Sequence, residues 1–267
     1  MKNSAVQAWR PRLVALDIDG TLVDRNGLLL PTVAEAVGLV VQARVPVVLS
    51  TGRSWHGTKL VFDELGLPPG PTVCSNGAVI VRYPPQEIIK AITFDPRPVI
   101  TQVEEFAPGS LIAVEEIGRG YRLNDRFPGD DLTGELIIED AEHLSSRPVT
   151  RVIVRDPTRS EEDFVALARH LGLHGVTYFV GWSAWLDIAP DGVNKATALA
   201  EVAAGFGVSA EDVLAFGDGR NDIEMLRWAG RGVAMGDAPH EVKTAADDVT
   251  ESIDNDGPAA ELRRWFG

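Results

Sequence analysis

Asp17 and Asp19 stand one residue apart in "LVALDIDGTLVD", residues 13–24, where an apolar run that reads as a buried strand gives out. Carboxylates at such a point can serve as nucleophile or acid–base catalyst, or can hold a metal ion. The Gly20-Thr21 turn that follows offers backbone N–H groups to an anion. A second apolar run ends on Ser50-Thr51-Gly52-Arg53, and a third, "VLAF", delivers Gly217-Asp218 followed by Asn221 and Asp222. In an open parallel sheet, ligands bind in the crevice outside the carboxyl ends of the strands. If these strands are neighbours, Asp17, Asp19, Asp218 and Asp222 share one crevice. Clustered carboxylates repel one another and are driven to higher pKa unless a cation balances them. Oxygen ligands set on loops suit Mg2+, which keeps several waters and accepts phosphate oxygens. A phosphate ester is therefore the expected guest, its charge shared by the turns at Gly20 and Gly52, the Thr51 hydroxyl and the Lys195 ammonium.

A sheet must bring these positions together. The first eighty or so residues alternate short, nearly continuous apolar runs (13–18, 45–49, 72–74 with 78–81) with helical spacings such as "TVAEAVGLVVQA", which predicts helix-linked parallel strands. The same texture returns after residue 190. Between them, "LIAVEEI-GRG-YRLN" and "VTYFV-GWS-AWLDIA" read as hairpins, and "SEEDFVALARHLG" as a helix with Ser160 at its N-cap. The expectation is an α/β protein: a Rossmann-like parallel-sheet core from residues 1–83 and 190–267, and an inserted α+β domain of mixed antiparallel sheet from 84–189. Pro84-Pro85 and the Ala189-Pro190-Asp191-Gly192 stretch would be the hinges.

Composition narrows the partners. With 267 residues, 45% of them hydrophobic, the chain can bury a sizeable core, and its net charge of −14 repels nucleic acid and anionic membrane surfaces. One cysteine and five scattered histidines leave no thiolate or imidazole metal site, so any metal is held by oxygen. No charged-then-apolar leader opens the sequence, and a cytoplasmic monomer or homodimer acting on a small molecule is expected. Cys74 reads as a small buried hydrophobe with no base beside it. Trp182 and Trp185 could line a pocket against a sugar ring, but read first as aromatics packing their own sheet. Asp222 could instead cap the helix "DIEMLRWA".

Taken in order, "DIDGTL", "STGR", Lys195 within "DGVNKATAL" and "GDGRND" resemble the four motifs of the haloacid dehalogenase superfamily. The addition of "SNGA" and "GVAMGDAPHEVKTAADDVT" makes the chain similar to its Cof-like sugar-phosphatase group, with a type IIB cap. The resemblance spans nearly the whole chain. It implies Asp17 as the nucleophile that forms an aspartyl-phosphate, and Asp19 as the acid for the leaving alcohol and then the base for water. It further implies Mg2+ on Asp17, the Asp19 main-chain carbonyl and Asp218 with Asp222 alongside, and phosphoryl oxygens held by Thr51 and Lys195. Gly20, Gly52, Arg53, Asn76 and Asn221 would face the substrate, although Arg53 and Asn76, just after strand ends, could instead stabilise their turns. One departure is Asp237, where the group commonly carries Asn; it adds negative charge near an acidic site. A phosphomutase of the same superfamily and a non-catalytic phosphate-sensing module are the rival expectations.

Overall fold

In chain order the strands are β1 (Leu13–Leu16), β2 (Val47–Leu49), β3 (Gly70–Cys74), β4 (Val79–Tyr83), β5 (Glu87–Ala91), β6 (Leu111–Glu116), β7 (Gly120–Leu123), β8 (Glu135–Ile138), β9 (Val152–Arg155), β10 (Val176–Gly181), β11 (Trp185–Pro190), β12 (Val213–Gly217), β13 (Arg231–Ala234) and β14 (Asp248–Val249). This computed structural model describes residues 9–128, 132–156, 158, 160, 163–164, 176–181 and 185–267.

All four residues of β1 are buried, which explains why its sequence lacks the polar alternation of a half-exposed strand. It lies in a five-stranded parallel sheet of order β14-β13-β12-β1-β2. Leu16 is level with Phe216 on one side and Leu49 on the other, so the residues after three adjacent strands emerge at one edge. Helices cover the faces. Pro31–Gln42 begins with proline where its missing N–H costs nothing, and it buries Val33, Ala36, Val37 and Val40 at helical spacing. It packs on the helix Gly257–Phe266.

The run at 72–81 departs from the expected parallel sheet. β3 and β4 pair antiparallel and join β5 in a separate three-stranded sheet, tied to β2 by a bridge between Ser50 and Val73. The cause is local: Ser75 and Asn76 both take φ of 52°, and the helical turn Ser75–Gly77 reverses the chain.

The inserted segment forms a six-stranded sheet of order β10-β11-β9-β6-β7-β8, in which β7 and β8 run parallel and the other pairs antiparallel. The strands of both expected hairpins pair antiparallel, β6 with β7 and β10 with β11. The helix Arg97–Phe106 packs Val99, Ile100 and Val103 against Ile112, Val114, Val152, Leu186 and Ile188. At the start of the expected helix "SEEDFVALARHLG", the Asp163 N–H donates to Ser160 Oγ at 3.2 Å, as an N-cap requires. The remainder of that helix, and Trp182, lie outside the described residues. Among the described residues, no helix is long and apolar enough to cross a membrane.

Candidate active site

Asp17 leaves the end of β1 with its backbone N–H still donating to Phe216 O, which fixes its carboxylate at the sheet edge. It is 4% exposed. Lys195, the first residue of the helix Lys195–Gly205, reaches back under it: Nζ donates to Asp17 Oδ1 and to Asp222 Oδ1, each at 2.6 Å. The helix is started by Asn194, whose Oδ1 accepts from the Thr197 N–H at 3.0 Å while Thr197 Oγ1 accepts from the Asn194 N–H. That reciprocal cap satisfies two N–H donors at a helix start whose dipole disfavours a cation in the first turn.

Asp222 turns its second oxygen on the strand end after β12, accepting from Asp218 N–H at 3.0 Å and Gly219 N–H at 2.9 Å. Its side chain makes no capping hydrogen bond to the helix Ile223–Trp228, so the capping alternative does not hold. The Asp222 carboxylate instead braces the loop that carries Asp218. Thr51 is fully buried and its Oγ1 accepts from the Arg53 N–H at 3.1 Å. Arg53 donates through Nε (2.9 Å) and Nη2 (2.5 Å) to the Asp19 carboxylate, which is largely exposed. Asn221 donates to Asn76 Oδ1 at 2.9 Å. Gly20 has φ of +74°, and a Cβ there would lie 2.3 Å from Asp218 Oδ2, so only glycine admits this approach.

Eight of the expected residues, Asp17, Asp19, Gly20, Gly52, Arg53, Asn76, Asp218 and Asn221, line one crevice of about 1060 Å³. Thr51, Lys195 and Asp222 lie behind them. Asp237 also lines it and faces Arg25 at 3.9 Å. Cys74 is buried and burial pushes its thiol up to about 12, which suits a packing residue.

Carboxylate oxygens of Asp17, Asp218 and Asp222 all lie within 4.8 Å of one another. Burial first, and then the charge of Asp222, push the Asp17 carboxyl up to about 7 against the pull of Lys195. Burial and the charges of Asp17 and Asp222 also hold Asp218 well above the usual carboxylate range. Lys195 is already shared by Asp17 and Asp222, and among the described residues Asp218 has no ion-pair partner. An all-oxygen donor set with too little positive charge fits a hard divalent cation.

The inserted sheet roofs the crevice with residues that the sequence reading passed over. Arg151, just before β9, donates through Nη1 to Gly52 O and, at 3.3 Å, to Asp187 Oδ2, and through Nη2 to the Tyr121 hydroxyl. Asn76 Nδ2 donates to Asp187 Oδ2 at 3.1 Å, and Ser75 Oγ to Glu115 Oε1 at 2.9 Å. The available signal was a charged residue inside an otherwise apolar strand, as in "WLDIA", since a buried charge demands a partner. Trp185 packs against Phe127, centroids 5.9 Å apart, and also lines the crevice.

A parallel-sheet core beneath a separate mixed-sheet cap, with acids at the strand ends, defines a capped hydrolase of the HAD-like α/β fold. The chain matches the haloacid dehalogenase-like hydrolases over residues 14–262 and belongs to that family, a phosphatase-type group of enzymes. It is 31% identical to the pyridoxal phosphate phosphatase YbhA of Escherichia coli, over 91% of this chain and 96% of that one. It is 29% identical to the 5-amino-6-(5-phospho-D-ribitylamino)uracil phosphatase YitU of Bacillus subtilis, over 96% and 98%. Among solved structures, the HAD subclass IIB sugar phosphatase BT4131 superposes with a TM-score of 0.80 at 24% identity, over 94% of this chain and 98% of that one. The phosphatase BT1666 of Bacteroides thetaiotaomicron gives 0.79 at 25%, over 97% of each.

Proposed function

We propose that the chain is a Mg2+-dependent phosphomonoesterase, working in the cytoplasm on a small soluble phosphate, a sugar phosphate in the first instance. Residues 1–83 with 190–267 form its catalytic core and 84–189 its cap. The observation that carries the reading is the state of Asp17. Lys195 holds Oδ1 at 2.6 Å, while among the described residues Oδ2 accepts no hydrogen bond and the side chain lines the crevice. A carboxylate tethered on one oxygen and open on the other is set up as a nucleophile.

In this reading Asp17 Oδ2 attacks phosphorus, the P–O bond to the alcohol breaks, and Asp19 gives the departing oxygen its proton. Asp19 then takes a proton from the water that attacks the aspartyl-phosphate, which releases inorganic phosphate and restores Asp17. Arg53 orients Asp19 through two N–H donors. Lys195 pulls Asp17 towards its ionised form and, with Thr51, meets the phosphoryl oxygens. Asp17, Asp218 and the Asp19 main-chain carbonyl, backed by Asp222, would hold Mg2+, whose charge screens the anionic ester from the anionic nucleophile. Two phosphatase relatives and the oxygen-only acidic cluster support this reading.

The test is phosphate release from a panel of phosphorylated metabolites, with Mg2+ and with chelator, for the wild type and Asp17→Asn. Release is expected with Mg2+ alone, and the variant should lose about 10³-fold or more in kcat with an unchanged melting curve. Metal-dependent activity surviving in Asp17→Asn overturns the assignment. Isomerised ester without free phosphate would make the chain a mutase.

A further inference from the structure

The stretch "SNGA", residues 75–78, supplies no group to the phosphoryl transfer proposed for the site, yet its turn Ser75–Gly77 touches three of the surrounding core segments. The Ser75 N–H donates to Arg53 O at 2.9 Å and the Asn76 N–H to Thr51 O at 3.0 Å, which ties the turn to the loop after β2. Gly77, at φ +100°, lies so close to Asn194 O, at the start of the Lys195 helix, that a Cβ there would collide with it. Asn221, on the loop that carries Asp218, donates to Asn76 Oδ1 at 2.9 Å. The same turn meets the cap, through Ser75 Oγ on Glu115 Oε1 and Asn76 Nδ2 on Asp187 Oδ2 at 3.1 Å.

Asn76 stands at the centre of this junction. It is 2% exposed and takes φ 52°, ψ 31°, a left-handed conformation that costs a residue other than glycine free energy. Each end of its amide is engaged by a different body, Oδ1 by the core loop and Nδ2 by the cap. The amide is planar and hydrogen bonds are directional, so a rotation that takes Nδ2 off Asp187 also turns Oδ1 away from Asn221. The loop beyond is thus held from two sides: Asp222 accepts from its Asp218 and Gly219 N–H groups, and Asn76 holds Asn221 between them.

We infer that Asn76 is a positioning residue: it couples the seating of the cap on Asp187 to the loop that carries Asp218, so that the seated cap and a divalent ion at the acids stabilise one another. The inference rests on the Mg2+ site of the phosphomonoesterase reading and adds a link between that site and the cap.

Asn76→Gly is the clean variant, because glycine adopts this backbone without strain while the amide is removed. Asn221→Ala cuts the same link from its other end. Calorimetric titration of the full chain with Mg2+, without substrate, should show binding about tenfold weaker in either variant, and no further weakening in the double variant. Hydrogen exchange read by mass spectrometry gives the reciprocal effect. Mg2+ should slow exchange in the wild-type peptide spanning residues 185–190 of the cap about fivefold or more, and leave it unchanged in either variant. Variants that melt lower but bind Mg2+ as the wild type does overturn the inference, because Asn76 would then only brace its turn. So does a wild type in which Mg2+ slows exchange in the core alone, or weakening that adds up in the double variant. If the wild type binds no Mg2+, the metal reading fails together with the coupling; if it binds Mg2+ and the variants match it in titration and exchange, only the coupling fails.

Discussion

At the scale of single residues, the site is a problem in charge. Asp17 is buried and Asp218 half-buried beside a third acid, and both carboxyls are held above their usual range. The folded chain therefore keeps protons that the unfolded chain has already lost, so without a cation stability falls as pH rises from the ordinary carboxylate range towards about 7, the value to which Asp17 is pushed. Lys195 works in the opposite sense. Burial opposes its charge, but Asp17 and Asp222 raise it above the ordinary lysine value of 10.5, so it stays charged and adds no titration of its own across the acidic and neutral window. A divalent ion replaces the missing protons. Mg2+ should then raise the melting temperature more at pH 8 than at pH 5, read by calorimetry in matched ionic strength. An equal shift at both pH values would mean that the ion does not bind at these acids.

At the scale of elements, the decisive feature is that β12, β1 and β2 end level, because register converts three remote stretches of chain into one edge. The loop after β1 has little latitude there. Gly20 sits at φ +74° and turns its Cα towards Asp218, so Gly20→Ala sets a methyl group on the Asp218 carboxylate and strains the backbone as well. The expected cost is about 1–3 kcal/mol in urea unfolding, with a loss of activity larger than that destabilisation explains. A variant of wild-type stability and rate would show that the loop relaxes freely. The reversal at Ser75-Asn76 belongs to this scale too. It brings Asn76 back towards Thr51, whose O accepts from the Asn76 N–H at 3.0 Å, and so joins the three-stranded sheet to the site.

At the scale of the whole molecule, cap and core meet through Arg151 on Gly52, Asn76 on Asp187 and Ser75 on Glu115. Replacing Arg151 by methionine leaves Glu115 and Asp187 without a countercharge, and should cost about 3–5 kcal/mol in urea unfolding together with a raised KM. A neutral effect on both would show that the network carries little. This is also the scale least legible in the sequence. Asp17, Asp19 and Asp218 announce themselves because each ends a local apolar run, and the alternation of runs with helical spacing describes the parallel core for the same local reason. The hairpins at 111–123 and 176–190 carry their own turn residues. By contrast, the antiparallel return after Cys74 depends on left-handed backbone at two residues that are not glycine. Arg151, Asp187 and Glu115 acquire meaning only once β6, β9 and β11 lie side by side. The central claim is the covalent step on Asp17, and the most direct measurement is the peptide mass map of enzyme acid-quenched during turnover with Mg2+ and substrate. The phosphoryl mass should appear on the peptide containing Asp17 and vanish in Asp17→Asn; turnover with that mass on another residue, or on none under conditions that preserve acyl phosphates, would contradict it.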